Sequence, residues 1–531
     1  MDAYSSPSDD DSEDSNSHND SEDSKDDDDT TIGVPNMEPL FKGIARDFGN
    51  RLPDYKSDIT DGLNAQSLAT TIFLFFACLA PAIGFGSVLG AATGNSMGVI
   101  EMIASTSMSG MLYAAVSAQP VQLIGPQGPV VAYIAALYQL ALVTKTPFLA
   151  LYAWTGLWAS GFLAVFAMIS ASNLVQHLTR WTDEIFSVLV SVIFLRQAVG
   201  DVAKTFTVAG PPTTALLTLV ACSLTFGTAV ALRSLNKTQY LTKSIRKNLA
   251  NFAPAIGVVV GSLAARSARI YWGAALPALL LPTQFITSTG RPWLVSLSTL
   301  TVSTRWMVAL PAGLAAAVLL YLDQNITARL VNNPRFQQTK GKRTSVLDGM
   351  HGDMLVLAGI TAIASLLGLP WMCGAPTRSA AHVRALSILD DKSGEIKGTL
   401  ENRVSGFSIH ALIGLCAVAA APRQLLAQVP QPVLSGVFLY LGFTSLIGLD
   451  MWDRIRGLFK EQVDQRFQAV KRPVVTMFTV AQMVCLYGMM KITQSKYGVV
   501  SPLLIAALPL ARWGLIKTGI VSKEDLKTLD S

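Results

Sequence analysis

Charged residues are scarce in this sequence. Only 15% of the 531 residues are Asp, Glu, Lys or Arg, whereas 50% are hydrophobic. A soluble globular protein carries about 25% charged residues, so this composition excludes an ordinary soluble domain. Apolar runs of about twenty residues recur along the chain, and each could cross a hydrocarbon layer about 30 Å thick. The composition predicts an all-α polytopic membrane protein, and because the runs are continuous rather than alternating, it excludes a β-barrel.

Residue patterns typical of metal sites, disulfides and enzymes are also missing. The five cysteines (Cys78, Cys222, Cys373, Cys416 and Cys485) are scattered and show no C-x-x-C or ligand spacing. We find no nucleophile–base set and no phosphate-binding loop. The sequence therefore predicts neither an enzyme nor a resident cofactor, and nothing in it points to a nucleic-acid partner.

The negative charge is concentrated at one end of the chain. Residues 1–30 contain thirteen acids and one lysine, so the remainder carries an excess of positive charge. Residues 1–36 have too little apolar surface to fold and are predicted to form a disordered acidic tail, with a phosphorylated regulatory or docking tail as the alternative. The polar start does not resemble a signal peptide, so the first membrane helix is expected to direct insertion. Residues 37–64 are predicted to be an amphipathic lead-in on the membrane surface.

The remaining apolar runs predict about fourteen membrane helices. Seven fall in a first half, residues 65–271, and seven in a second half, residues 305–515. Residues 272–304 are predicted to be an external connection with surface helices, and residues 516–531 a cytoplasmic tail. Lys and Arg cluster after the sixth, eighth, tenth and twelfth segments, which predicts cytoplasmic N- and C-termini by the positive-inside rule. The predicted segments are 65–90, 97–118, 120–141, 147–170, 184–204, 211–233, 252–271, 305–331, 352–370, 376–388, 407–421, 425–449, 472–491 and 493–515.

Two of these segments are broken by proline and glycine. In residues 119–140 a regular helix should begin only near Pro129, after an extended stretch, and in residues 369–386 only near Pro376. Each segment lies third in its half, which is the signature of an inverted repeat. Two half-helix N-termini would then meet near the bilayer midplane and form a cradle for an anion. The alternative is a pair of kinked helices whose prolines serve packing.

Two charged residues are predicted at membrane depth, one in the eighth segment and one in the second broken segment. Asp323 ends the apolar run 307–322, and Arg378 falls in the first turn of the second half-helix. Ionisable groups there must meet an opposite charge, an anion or water. A structural Arg–Asp pair is one interpretation, and contact with a transported anion is the other. His382, one turn further on, is interpreted as a packing residue.

At these residues the chain resembles the bicarbonate transporter superfamily, which includes the anion exchangers, the sodium-coupled bicarbonate transporters and the plant and fungal borate transporters. The resemblance covers residues 40 to 520, and its most specific stretches are SAQPVQLIGPQGPVVAY (117–133), LDQNITARLV (322–331) and LPWMCGAPTRSAAHVRAL (369–386). Four further stretches match in the same order: residues 69–90, 182–195, 401–415 and 434–455.

The resemblance implies two inverted seven-helix repeats, a core domain and a gate domain, and a homodimer through the gate domains. It places the substrate between the third and tenth helices, next to the acid on the eighth. Asp323 would be that acid, with a possible Na⁺ site, and Arg378 the basic residue of the anion exchangers. Lys204 would correspond to a lysine that reacts with stilbene disulfonates. The remaining predicted substrate contacts are Gln127, Gly128, Pro129, Val130 and Thr377.

The family also implies the function. Chloride exchangers typically have Glu at the eighth-helix position, and sodium-coupled members usually lack the arginine, so Asp323 together with Arg378 leaves Na⁺ symport and Cl⁻ exchange both open. We predict a secondary transporter of bicarbonate or carbonate, in the plasma membrane, with borate efflux as the alternative. A membrane scaffold without transport is a more distant hypothesis, because a scaffold has no use for opposed charges at the midplane.

Overall fold

The computed structural model leaves the predicted acidic tail, residues 1–36, outside the described residues. The described residues are 39–177, 180–207, 211–342, 345–390, 395–458, 465–467, 469–493, 495, 498–519 and 521–530.

The lead-in is helical, as its amphipathic pattern predicts. Helices α1 (Lys42–Arg51) and α2 (Tyr55–Thr60) are separated by a short 3₁₀ turn. The first membrane helix then begins where the Asn64 side chain accepts a hydrogen bond from the Ser67 backbone N–H at 2.8 Å, which satisfies one of the free donors of the helix start.

Within the described residues, the first half of the chain forms eight further helices: α3 (Ala65–Ala92), α4 (Val99–Val116), α5 (Gly128–Val143), α6 (Phe148–Met168), α7 (Arg180–Thr207), α8 (Pro212–Ser234), α9 (Lys243–Asn251) and α10 (Ala253–Trp272). The second half forms eleven: α11 (Val302–Thr304), α12 (Leu310–Val331), α13 (Met350–Leu366), α14 (Pro376–Leu386), α15 (Val404–Val418), α16 (Ala420–Ala427), α17 (Gln431–Leu446), α18 (Asp450–Gly457), α19 (Arg472–Thr493), α20 (Ser501–Lys517) and α21 (Lys523–Leu529). A five-residue π-helix, Arg305–Ala309, joins α11 to α12.

The predicted multi-span helical class is confirmed. Within the described ranges, eight helices are long and apolar enough to cross a membrane, or ten when the bent pairs α15–α16 (79°) and α17–α18 (81°) each count as one span. Helices α5 and α13 are shorter and apolar. Each of the fourteen predicted segments contains a helix, but the inverted seven-helix repeats and the core and gate domains remain predictions.

The structure adds detail at two of the predicted segments. In the connection 272–304, residues 273–296 contain no helix, because Pro277, Pro282 and Pro292 interrupt any helical run, and short helical turns follow at Leu297–Thr299 and Val302–Thr304. The last membrane helix starts at Ser501 rather than near 493, because Pro502 favours a first-turn position.

Four short strands pair in two ribbons. Strand β1 (Ile124–Gly125) pairs antiparallel with β2 (Cys373–Gly374), and β3 (Ser387–Leu389) pairs with β4 (Ile396–Thr399). The ribbon β1–β2 lies just before the two half-helices, and it therefore fixes how they face each other.

The helices pack in two groups. Helices α3, α4, α6, α12, α13 and α15 pack among themselves, and α7, α8, α10, α17, α19 and α20 form the second group. Contacts of α3 with α17 and of α12 with α20 join the two groups.

Candidate functional site

The starts of the two half-helices lie side by side, as the sequence predicts. Helix α5 begins at Gly128 and α14 at Pro376, each within one residue of the predicted start. In the ribbon, Ile124 is paired with Gly374 and Gly125 with Cys373. The Ala375 N–H also donates to the Leu123 carbonyl at 2.9 Å. The extended segments thus cross in the interior and bring both helix N-termini to one place.

Neither N-terminus is capped by a side chain. The residues before the helices, Gln127 and Ala375, are extended and their side chains accept no capping hydrogen bond. The first N–H groups of a helix have no partner within the helix, and the helix dipole adds about half a positive charge there. Two uncapped starts side by side form a site that favours an anion.

Arg378 adds a full positive charge to this site. It lies in the first turn of α14 and is 8% exposed. Its Nη2 donates to the Pro126 carbonyl at 2.6 Å, so the guanidinium crosses from one half-helix to the other. A Cβ on Gly125 would lie 3.0 Å from Nη1, so the glycine leaves room for the guanidinium. Across the described ranges, no carboxylate forms an ion pair with Arg378.

Asp323 is buried on α12 and faces the ribbon rather than Arg378. The residue is only 2% exposed. Its Oδ2 accepts a hydrogen bond from the Cys373 thiol at 3.3 Å. Of the two interpretations made from sequence, the structural Arg–Asp pair is therefore not formed. Asp323 contacts Cys373 of the ribbon, whereas Arg378 contacts the Pro126 carbonyl in the segment next to the ribbon.

A buried hydrogen-bonded chain supports the α12 side of the site. Asp353, at the start of α13, accepts the backbone N–H of Ala118 at 2.7 Å and the hydroxyl of Tyr113 at 2.8 Å. That hydroxyl accepts from Gln324 Nε2 at 3.0 Å. Because Gln324 follows Asp323, this chain fixes the end of α4, the segment before β1 and the α12 acid relative to one another.

Aromatic packing supports the segment that precedes strand β2. Trp371, just before β2, stacks on Tyr152 with ring centroids 4.4 Å apart. Its indole N–H donates to Ser365 at 2.8 Å, and the Tyr152 hydroxyl donates to the Leu369 carbonyl at 2.7 Å. The extended approach to α14 is thereby held by two fully satisfied aromatic side chains.

The predicted substrate contacts fall in two groups. Gly128, Pro129 and Val130 form the buried first turn of α5, and Gln127 precedes them half-buried. Thr377, in the first turn of α14, is exposed. The structure therefore brings Asp323, Arg378 and these five residues to the two half-helix starts.

His382 is fully used by hydrogen bonds, as its interpretation as a packing residue suggests. Its Nδ1 lies 2.6 Å from the Val121 carbonyl and its Nε2 2.8 Å from the Ser405 hydroxyl. It joins α14 to the segment before β1 and to α15.

Lys204 lies apart from the half-helices, on the wall of a cleft of about 330 Å³ between α3, α7 and α17. Its side chain is 76% exposed, and its Nζ is 3.9 Å from Asp201. Ten residues separate it from Phe194 on α7, which corresponds to about 15 Å of helix. Lys204 can contact a molecule in the cleft, but it does not complete the anion site.

Three phenylalanines stand between the cleft and the half-helices. The rings of Phe85, Phe194 and Phe438 are 5.3 to 5.9 Å apart. Phe438 lines the cleft, and a Cβ on Gly128 would lie 3.1 Å from the Phe194 ring. The three rings separate the cleft from the start of α5.

Sequence reasoning missed several of these residues. Cys373 was noted only as a scattered cysteine, although it donates to Asp323. Asp353 was not singled out, although an acid near the start of an apolar helix is a detectable signal. The three phenylalanines gave no signal, because aromatic residues are common on membrane helices.

Comparison with known proteins identifies the family of this chain. The family model described as the HCO₃⁻ transporter integral membrane domain matches residues 39–209 and 208–531. The band 3 anion transport protein of Mus musculus is 33% identical over 524 residues, covering 92% of this chain and 55% of that protein. Anion exchange protein 3 of Danio rerio is 30% identical over 534 residues, covering 92% and 44%. The chain therefore spans about half the length of these relatives.

Solved structures with low sequence identity share the fold. The transmembrane domain of a cyanobacterial bicarbonate transporter, BicA, superposes with a TM-score of 0.55 at 13% identity, covering 85% of this chain and 98% of that domain. The murine solute carrier 26 family member A9 anion transporter, in its inward-facing state, gives a TM-score of 0.59 at 12% identity, covering 90% and 72%.

Proposed function

Because this chain belongs to the HCO₃⁻ transporter family, we propose that it is a secondary active transporter that carries bicarbonate or carbonate across a membrane by alternating access. The observation that carries the proposal is Arg378: a buried guanidinium, without a carboxylate partner among the described residues, at the meeting point of two uncapped helix starts. A buried charge without a partner is costly, and a bound anion removes that cost. The names of the band 3 relatives point to the same class of substrate.

The role of each residue follows from its place. Arg378 and the first-turn N–H groups of α5 and α14 bind the anion oxygens. Asp323 lies behind the ribbon, where its carboxylate excludes anions from the α12 side when ionised. It can instead bind a co-transported Na⁺, or a proton that lowers the charge of the site. Na⁺ symport and Cl⁻ exchange both fit these roles.

Movement of one helix group against the other would expose the site to each side in turn. The cleft lined by Lys204 would be the access route from one side, and the rings of Phe85, Phe194 and Phe438 would close it. We further propose that the protein works as a homodimer in the plasma membrane with both termini in the cytoplasm. The supports are the family, the charge distribution of the loops and the resemblance described above.

Flux in liposomes tests the proposal. Purified protein is reconstituted with a pH-sensitive dye inside, and a bicarbonate gradient is imposed with and without Na⁺ and with and without Cl⁻ inside. Wild type is compared with Arg378→Gln and Asp323→Asn. Flux that requires Na⁺ and is lost in Asp323→Asn identifies symport, and flux that requires Cl⁻ on the opposite side identifies exchange. Absence of bicarbonate flux under every condition contradicts the proposal, and borate is then the substrate to test.

A further inference from the structure

The described part of the lead-in, residues 39–64, has two faces of opposite character. Its four acids, Asp47, Asp54, Asp58 and Asp61, are all engaged by groups of the membrane helices and their loops. Asp47 Oδ2 accepts the backbone N–H of His351 at 2.9 Å, at the start of α13. These contacts direct the acids of the lead-in toward the membrane helices and their loops.

Asp58 is the centre of these contacts. It is fully buried and accepts from Arg51 Nε at 3.0 Å and from Arg403 Nε, at the start of α15, at 3.1 Å. Arg51 in turn donates to Glu401 at 2.9 Å. The lead-in is thereby attached to the first helix group through buried ion pairs.

The other two acids contact the loop 339–341. Asp54 accepts the Gly341 N–H at 2.8 Å, and Asp61 pairs with Lys340 at 2.8 Å. Every carboxylate in the described part of the lead-in is therefore directed to the loop 339–341 or to the helix starts.

The opposite face is apolar and cationic. Leu40, Leu52 and Leu63 are 65%, 72% and 74% exposed. Lys42 and Lys56 are exposed as well, and no carboxylate of the described residues pairs with either. On α1, the exposed positions Lys42, Ala45 and Gly49 recur with helical spacing away from the buried Asp47, so Lys42 points away from the membrane helices.

The position of this face indicates its partner. Residue 65 begins the first membrane helix, so the lead-in lies at the level of the headgroups of that leaflet. Apolar side chains with interspersed lysines are the surface that an interfacial helix presents to lipid. A negatively charged headgroup fits the two unpaired lysines, whereas a zwitterionic one offers them no net charge.

We propose that the outward face of the lead-in binds anionic lipid headgroups through Lys42 and Lys56, with Leu40, Leu52 and Leu63 inserted beside them. Because the inner face is attached to α13 and α15 by buried contacts, lipid bound here holds the first helix group at a fixed depth in the membrane. Alternating access that moves this group must then displace the lead-in from its headgroups, so anionic lipid slows transport.

Lipid retention tests the binding surface. Full-length protein is purified in detergent with phosphatidylserine or phosphatidylcholine, and the retained lipid is counted by native mass spectrometry. We expect wild type to retain phosphatidylserine in preference to phosphatidylcholine. The double variant Lys42→Gln/Lys56→Gln should bind phosphatidylserine roughly thirtyfold more weakly, because each lysine near an anionic surface contributes about fivefold to the affinity. The matched control is Lys145→Gln/Lys491→Gln, which removes the same charge from exposed lysines outside the lead-in and should behave as wild type.

Equal retention of phosphatidylserine by the two double variants would overturn the binding surface. The same would follow if wild type retained both lipids equally.

Flux tests the effect on transport, which rests on the proposed function. Bicarbonate flux is measured in vesicles of phosphatidylcholine alone and with increasing phosphatidylserine. We expect wild-type flux to fall at least about twofold, with a smaller dependence at high salt, and flux of Lys42→Gln/Lys56→Gln to stay constant. Flux that is independent of phosphatidylserine while retention is intact would overturn the slowing effect. Absence of flux in every vesicle would instead contradict the proposed function and leave the retention result standing.

Discussion

Two buried charge clusters in this protein differ in one respect. In the lead-in contact, Arg51 and Arg403 are each paired with a buried carboxylate. In the half-helix site, Arg378 and Asp323 are equally buried, yet no described carboxylate pairs with the arginine and no described cation with the acid. Burial alone therefore does not distinguish the clusters; pairing does.

The difference in pairing distinguishes a cluster that stabilises the fold from one that can bind a ligand. A buried charge with a partner contributes to the fold, and removal of one partner leaves the other uncompensated. A buried charge without a protein partner is uncompensated already, and a mobile ligand can compensate it. We therefore expect substitutions in the lead-in contact to lower stability and substitutions in the half-helix site to lower transport.

The largest effect on stability is expected from Asp58→Asn. The substitution leaves the Arg403 guanidinium buried without a carboxylate, so the free energy of unfolding should fall by about 3–5 kcal/mol. Thermal unfolding of the detergent-purified protein measures it. The control Asp61→Asn changes an exposed ion pair to Lys340 and should cost at most about 1 kcal/mol. Similar melting temperatures for the two variants would contradict the comparison.

The largest effect on transport is expected from Arg378→Gln. Loss of charge-assisted hydrogen bonds to the anion, about 1.5–3 kcal/mol, should lower bicarbonate flux by a factor of roughly 10 to 150. The control is Arg384→Gln, which removes an exposed arginine at the other end of the same helix; its flux should stay within about twofold of wild type. A normal flux in Arg378→Gln would show that the unpaired guanidinium is not the anion contact.

A smaller effect is expected from substitution of Cys373, which tests whether transport needs the hydrogen bond from its thiol to Asp323. Cys373→Ala removes the thiol that donates to Asp323, and flux should fall roughly fivefold, as expected for one hydrogen bond of about 1 kcal/mol. Cys373→Ser keeps a donor of similar size and should retain flux within about twofold. If serine and alanine gave the same flux, the hydrogen bond would have no role in transport.

The smallest effect is expected from the titration of Asp47, another buried acid of the lead-in. Burial raises the pKa of this carboxyl from its usual value of 3.8 to about 7. Because the folded state then holds the proton more tightly than the unfolded state, its stabilising contribution is present at about pH 4 and is lost as the pH rises to about 7. The melting temperature of wild type should therefore fall by a few degrees relative to Asp47→Asn between pH 5 and pH 8. Parallel curves would show that Asp47 does not titrate in this range.

The backbone of the site could be predicted from sequence, because proline and glycine act locally. Pro129 and Pro376 each follow a stretch rich in proline and glycine, and proline is favoured in the first turn of a helix, so the starts of α5 and α14 were predicted within one residue. Apolar length likewise predicted the membrane helices. The pairing of β1 with β2 was not predicted, since two-residue strands carry no periodic pattern and the paired residues are about 250 positions apart in the chain.

The side-chain partners could not be predicted for the same reason. The presence of Asp323 and Arg378 at membrane depth follows from hydropathy, but whether they pair depends on the direction of each side chain within a helix start. Asp58 and Arg403 are separated by 345 residues, and each alone resembles an ordinary charge at a membrane boundary. The sequence thus identified the charges, and only the fold distinguishes the paired from the unpaired.

Thermal unfolding of wild type and Arg378→Gln, with and without bicarbonate, tests the central claim most directly. A ligand that binds only the folded state raises its melting temperature. We expect bicarbonate to stabilise wild type and not Arg378→Gln. Without bicarbonate, the variant should be at least as stable as wild type, because it lacks the uncompensated charge. A variant that melts well below wild type without the anion, and is stabilised by bicarbonate to the same extent, would instead show that Arg378 is a structural residue.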